Sequence, residues 1–158
     1  MNKKIRIIFI NLLIIVNITM LISAYFIKKS TVNAATNENS SSNIQLMAKA
    51  INGEARGEPY EGQVAIGAVI MNRVSSPDFP NTIAGVIYQT GAFTAVSDGQ
   101  INMPIDENST VMKAARDAIN GWDPTGGAVF YYNPDTATNK WIWSRETIKV
   151  IGKHKFCK

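Results

Sequence analysis

The segment Asn52-Gly-Glu-Ala-Arg-Gly-Glu-Pro59 carries the sharpest chemical pattern in this chain. Two carboxylates, Glu54 and Glu58, lie four residues apart with Arg56 between them, and each glutamate directly follows a glycine. Glycine inside a helix costs about 1 kcal/mol relative to alanine, so Gly53 and Gly57 call for a use. They keep bulk off the helix surface, either to let a flat ligand approach a carboxylate or to let another helix pack close through Gly53 with both glutamates solvated. Spacing alone leaves both uses open. A lone glutamate on the lip of a groove suits glycosidic cleavage, in which a carboxylic acid, its pKa raised by partial burial, protonates the bridging oxygen. Glu54 follows the apolar stretch of its helix and is expected to be partly buried, so it is the candidate general acid. Glu58, at the helix end beside Pro59, is expected to be solvated and to serve substrate binding.

A two-carboxylate mechanism needs a second acid across the sugar, at about 5–5.5 Å or 6.5–9.5 Å from the first. Glu58 shares a helix face with Glu54 and cannot easily flank the other side of the bond. Asp98, Asp123 and Asp135 fall on predicted loops, but nothing selects one, and each reads first as a turn or cap aspartate. Sugar rings present apolar faces that stack on aromatics. Phe93, Tyr131, Tyr132 and Trp141 are the chosen candidates, with Tyr88, Trp122 and Trp143 beside them. Thr94 and Gln100, and also Gln89, could bind hydroxyl or acetamido groups. In a strand, Tyr131 and Tyr132 point to opposite faces, one to the core and one to a cleft. Trp141 and Trp143 would share a face, with at least one of them in the core.

Composition removes several other chemistries. The chain has one histidine and one cysteine, too few for a Cys/His zinc site, a disulfide framework or a convincing nucleophile–histidine pair. His154 reads as structural or surface, and Cys157 as a packed or exposed free thiol. No metal or other cofactor is expected. The net charge of +4 over 158 residues hints at nucleic acid, but its distribution removes the hint. Lys3, Lys4, Arg6, Lys28 and Lys29 sit in residues 1–34, which hold no acid, and the remaining 124 residues carry 11 bases against 12 acids. Without a basic footprint for phosphate, nucleic-acid binding is excluded.

The elements that must position these residues follow from periodicity. Residues 1–34 read as a secretory signal peptide, with a basic start, an apolar run over 7–27 and small residues before Ala35. The rival reading is an uncleaved membrane anchor, since 21 helical residues span about 30 Å. Both place the domain outside the cell. Residues 35–43 are small, polar and aperiodic, a flexible linker. A single domain then occupies 44–158. Helices are expected over 44–56, 60–74 and 80–88, and from an Asn108 or Ser109 cap to a stop at Gly121. Residues 128–132 and 140–143 read as a small hairpin or irregular extended pair. The domain is mainly α with a minor β element.

From about Gln45 onward the chain resembles the catalytic domain of the spore cortex-lytic enzyme and cell-wall hydrolase family. The segments that carry the resemblance are MAKAINGEARGEPYEGQVAIGAVIMNRV, SPDFPNTIAGVIY, GAFTAVSDGQI, AINGWDPTGGAVFYYNPDTAT and KWIWSR, followed by IGKHKFC. The resemblance implies a lysozyme-like fold that cleaves peptidoglycan glycan strands, with the first glutamate of GEARGE, Glu54, as catalytic acid. It also implies lytic transglycosylase chemistry, in which the substrate's own 6-hydroxyl is the nucleophile and no second carboxylate is needed. The better-known members carry a peptidoglycan-binding module ahead of the catalytic domain. Here the polar linker stands in that place, so affinity for intact cortex is expected from the groove, an accessory protein or membrane tethering. A monomer is expected. A hydrolytic muramidase and a non-catalytic peptidoglycan-binding module are the rival readings.

Overall fold

A computed structural model describes the backbone of residues 2–158 and the side chains of residues 2, 15–29 and 39–158. The chain divides into two compact units, Met1–Ser40 and Ser41–Lys158. Helix α1 spans Lys3–Ala55. Its backbone is helical through residues 36–43, where the composition suggested a structureless linker. No glycine precedes Gly53 and no proline precedes Pro59, so nothing local interrupts the helix. In the first unit residues 15–29 are all exposed, Met20 and Leu21 among them. Among the described residues no helix is long and apolar enough to cross a membrane. Residues 7–14 of the apolar run, and the expected cleavage point at 32–35, lie outside the described side chains.

The second unit contains α2 (Tyr60–Ser75), α3 (Ile83–Ile87), α4 (Thr94–Ser97), a 3-10 turn (Gln100–Asn102), α5 (Thr110–Ile119), β1 (Phe130–Tyr132), α6 (Lys140–Trp143), β2 (Thr147–Ile151) and β3 (His154–Cys157). It is mostly helical with a small sheet, as the sequence pattern predicts. Every residue of α2 from Gly62 to Ile70 is buried. Around it pack Met47, Ala48 and Ile51 of α1, Val86 and Ile87 of α3, and Val111, Met112, Ala115 and Ala118 of α5. The small residues set the spacing. A Cβ on Gly67 would meet Ala118 Cβ at 2.7 Å and Ile51 Cδ1 at 3.2 Å, so α1, α2 and α5 meet there only because it is glycine. Each fully buried Val or Ile in this core contributes about 1.5–3 kcal/mol.

Side-chain caps fix the helix starts. Thr82 Oγ1 accepts from Gly85 N, Ser109 Oγ from Met112 N and Asn139 Oδ1 from Trp141 N, each worth about 1 kcal/mol. Gly121, at φ +100, follows the end of α5, where a left-handed residue closes a helix.

The sheet differs from the expected hairpin. Its order is β1-β3-β2, antiparallel throughout, with Tyr131 opposite Phe156 and Ile151 opposite His154. The segment 140–143 is not the partner of β1 but the helical turn α6, started by the Asn139 cap. Trp141 and Trp143 are therefore about 200° apart around a helix axis instead of sharing a strand face, and both are exposed. The middle strand β3 buries His154, Phe156 and Cys157.

Candidate functional site

Glu54 sits in the last turn of α1, one residue from the helix end. Its Oε1 accepts two hydrogen bonds, from Thr94 Oγ1 at 2.8 Å and from Ala95 N at 2.9 Å. Its Oε2 accepts one, from the Tyr131 hydroxyl at 3.1 Å. Ala95 N belongs to the first turn of α4, where backbone donors have no partner within the helix. Gly53 makes this meeting sterically feasible, because a Cβ there would collide with Ala95 Cβ. Close packing through Gly53 and access to the carboxylate are thus one device. The approach of α4 brings the donors that hold Glu54.

Tyr131 reaches Glu54 from β1. Its ring lies over the buried Phe93, at 6.4 Å between centroids, and stands edge-on to His154 at 5.6 Å. Burial raises its hydroxyl well above the ordinary tyrosine range; the charge of Glu54 and the hydrogen bond to it push the same way, and Arg73 opposes. Tyr131 therefore stays a donor at neutral pH. Tyr132 is buried, packs on Trp143 at 5.6 Å and lines the same cleft as Tyr131, so the two tyrosines are not divided between core and cleft.

Glu54 and Tyr131 open onto a cleft of about 580 Å³. Gln89, Thr94, Asn133, Asn139 and Trp141 line it, and Glu54 is the single carboxylate among the described lining residues. Trp141 is held edge-on to Phe130 at 5.2 Å and under the Arg145 guanidinium at 4.3 Å, leaving about half its surface exposed. Arg73, in the last turn of α2, also lines the cleft. Its guanidinium carbon lies 5.2, 5.5 and 5.7 Å from the centroids of Phe79, Phe93 and Phe130. Its Nε donates to Val129 O at 2.7 Å. Burial lowers the Arg73 pKa from its ordinary value, and Tyr131 opposes that shift. Cation–π contacts of about 0.5–2 kcal/mol each offset part of the desolvation of this cation.

Several expected site residues lie elsewhere. Glu58 is not solvated: its side chain is 8% exposed and its Oε2 accepts from Lys153 N at 2.9 Å. Gly152, at φ +59, begins the two-residue turn between β2 and β3, a position that favours glycine. A Cβ on Gly152 would collide with the Glu58 carboxylate. The helix end beside Pro59 is covered by that turn, so Glu58 serves the fold rather than the cleft. Phe93 is likewise 3% exposed and supports Tyr131 and Arg73 from below without facing a ligand. Gln100 accepts from Arg56 Nη1 at 2.6 Å and donates to Asp98 at 2.8 Å. It lines a separate pocket with Asn52 and Met103.

His154 is buried beneath Tyr131, with Nδ1 3.8 Å from Glu58 Oε1. Burial lowers its pKa, while Glu58 and Glu54 act against that shift. Asp123 organises its own loop, accepting from Thr125, Gly127 and Asn72. Burial pushes its pKa up, but these hydrogen bonds outweigh burial and hold it below the ordinary value. Trp122 packs on Tyr60 at 5.8 Å and lines a third pocket. Among the described residues no three His, Cys, Asp or Glu side chains gather as a metal site. Sequence reasoning missed Arg73 and the backbone donor of Ala95. An arginine inside an apolar helix was a visible signal for the first, whereas the second had none.

A mainly helical domain with a small three-stranded sheet has a lysozyme-like fold. The chain belongs to the Cell Wall Hydrolase family, whose profile matches residues 57–157. That match contains Arg73, Tyr131 and Trp141 and begins three residues after Glu54. The spore cortex-lytic enzyme of Bacillus cereus is 65% identical over 119 residues, covering 75% of this chain and 45% of that protein. The chain thus spans less than half the length of that relative. The crystal structure of the catalytic domain of the Bacillus cereus SleB protein matches with a TM-score of 0.70 and 64% identity, over 75% of this chain and 91% of that one. The catalytic domain of the germination-specific lytic transglycosylase SleB from Bacillus anthracis matches with a TM-score of 0.70 and 65% identity, over 73% and 93%.

Proposed function

We propose that this protein is an exported lytic transglycosylase that cuts the β-1,4 bond between N-acetylmuramic acid and N-acetylglucosamine in spore-cortex peptidoglycan during germination. The observation that carries the reading is a single carboxylate in the cleft, Glu54, held by Thr94, Ala95 and Tyr131. The description of the Bacillus anthracis relative as a germination-specific lytic transglycosylase supports the same chemistry. Residues 1–34 would act as signal peptide or anchor, delivering the domain to the wall.

Oε1, already accepting two bonds, is the anchoring oxygen. Oε2 carries the transferable proton beside the Tyr131 hydroxyl. Glu54 gives that proton to the bridging oxygen, and the leaving N-acetylglucosamine departs with a free 4-hydroxyl. The 6-hydroxyl of the muramic residue then attacks its own anomeric carbon, and the Glu54 carboxylate takes the hydroxyl proton. The product is a 1,6-anhydro end, no water is consumed, and the acid is restored for the next cycle. Trp141 offers a ring face for sugar stacking, and Thr94 and Asn133 offer polar contacts along the cleft.

The test is incubation of the full chain and its Glu54→Gln variant with cortex and with vegetative peptidoglycan, followed by mass spectrometry of the soluble products. Anhydro-muramic ends released by the wild type, and reduced at least about a hundredfold in the variant, are expected. Reducing ends would replace the reading with a hydrolytic muramidase. Binding with no release would replace it with a glycan-binding module.

A further inference from the structure

Arg73 is 7% exposed, yet no carboxylate of this chain pairs with it among the described residues. Its Nε is satisfied by Val129 O, and three phenylalanine rings surround the guanidinium. Its two terminal nitrogens make no hydrogen bond within the described protein, and neither is sealed from solvent. They open on the cleft that contains Glu54, Tyr131 and Asn133. A buried cation is ordinarily matched by an anion. Here the rings hold the fork rigid and its free edge faces the space where a glycan strand would lie. A planar guanidinium presenting two parallel donors is matched to a carboxylate.

We propose that Arg73 is a binding site for a carboxylate carried by the glycan, seated in the same cleft as the scissile bond. The carboxylate has two sources of the same chemistry: the lactyl group of an unsubstituted muramic residue, or the end of a short peptide attached to it. This assignment rests on the glycan-cleaving reading of Glu54 and deepens it. It makes the enzyme sensitive to what the muramic residues carry as well as to the bond being cut. Neutral muramic residues would be cleaved, but less efficiently.

The experiment compares kcat/KM of the full chain on three glycan strands of equal length. In one the lactyl carboxylates are free, in the second each carries a single alanine with a free carboxylate, and in the third each is a neutral methylamide. At least one carboxylate strand is expected to be preferred over the neutral strand by about ten- to a hundredfold, the range of a charge-assisted hydrogen-bonded pair. Which strand is preferred identifies the source. Arg73→Gln should abolish the preference, and Arg73→Lys, which keeps the charge without the fork, should retain part of it. A purely structural role would lower activity on all three strands alike. Equal cleavage of the three strands by the wild type overturns the proposal, leaves the glycan-cleaving reading intact, and needs no folded variant. A preference that survives in Arg73→Gln overturns it as well. No cleavage of any strand would remove the glycan-cleaving reading and this one with it.

Discussion

The Tyr131 hydroxyl donates to Oε2 of Glu54 at 3.1 Å, tying strand β1 to the last turn of α1. Two residues 77 positions apart thereby form one carboxyl–hydroxyl unit, and the sheet becomes part of the cleft. Tyr131→Phe should lower kcat/KM about ten- to a hundredfold, the equivalent of about 1.5–3 kcal/mol for one hydrogen bond to the carboxylate form of Glu54.

The same environment makes an alkaline prediction. The folded pKa of Tyr131 is raised, first by burial and then by Glu54, and that of Tyr60 is raised by burial and by Asp117. The unfolded chain releases these protons near pH 10, whereas the folded chain keeps them. Stability should therefore be undiminished by these groups below about pH 10 and fall as pH rises beyond it. Chemical denaturation from pH 8 to 11 should show that decline, and the Tyr131→Phe and Tyr60→Phe variants should each flatten it. An unchanged slope in both variants would refute the assignment.

Gly53→Ala places a methyl group against Ala95. Overpacking costs about 1–3 kcal/mol and outweighs the roughly 1 kcal/mol that alanine adds to helix propensity. The melting temperature should fall, and activity should fall further than stability explains, because α4 must retreat with the donors of Glu54. A variant as active and stable as wild type would count against this contact.

Glu58→Gln tests the division of labour between the two glutamates. It should weaken the acceptor for Lys153 N and destabilise by about 1–3 kcal/mol, with kcat nearly unchanged in the surviving folded enzyme. His154 gives the matching acid prediction. Its folded pKa is lowered, chiefly by burial, so the unfolded chain takes up the proton first. Stability due to this group is present above about pH 6.5 and lost as pH falls through the lowered value. His154→Gln should make the acid side of the stability profile less steep.

Trp141→Ala should raise KM about threefold to tenfold, since stacking on an aromatic face is worth roughly 0.5–1.5 kcal/mol. The side chain is half exposed and supported by Phe130 and Arg145, so the melting temperature should move little. Tryptophan fluorescence on adding glycan, measured in wild type and variant, gives an independent check.

Helices α2 and α5 and the end of α1 were readable because their signals are local, whereas the short turns α4 and α6 were not. Pro59, Ser109 and Gly121 mark boundaries through their own chemistry, and the apolar spacing of α2 and α5 needs only a helix to make sense. The third helix starts after the Thr82 cap, not at Pro80 as its sequence suggested. Glu54 was readable because glycine spacing and an apolar approach point to it. The sheet was less legible. Aromatic content made residues 140–143 look extended, although Asn139 supplies a helix cap, and the residues of β1 pair with partners 23 to 27 positions downstream. Glu58 misled for a related reason. A carboxylate beside a proline looks solvated until a distant glycine turn at Gly152 covers it. Arg73 needed three phenylalanines from three separate segments to become a cleft residue, a juxtaposition that no spacing rule contains.

The placement of β3 has a consequence for when the cleft can form. It is the middle strand of the sheet and follows every residue of the cleft in chain order. During synthesis, Glu54, Thr94 and Tyr131 all leave the ribosome before the strand against which β1 must lie. The helical core can assemble around α2 while the seat for Tyr131 is still missing. The cleft is thus finished last, and a nascent chain that already contains Glu54 has not yet acquired the strand that seats Tyr131.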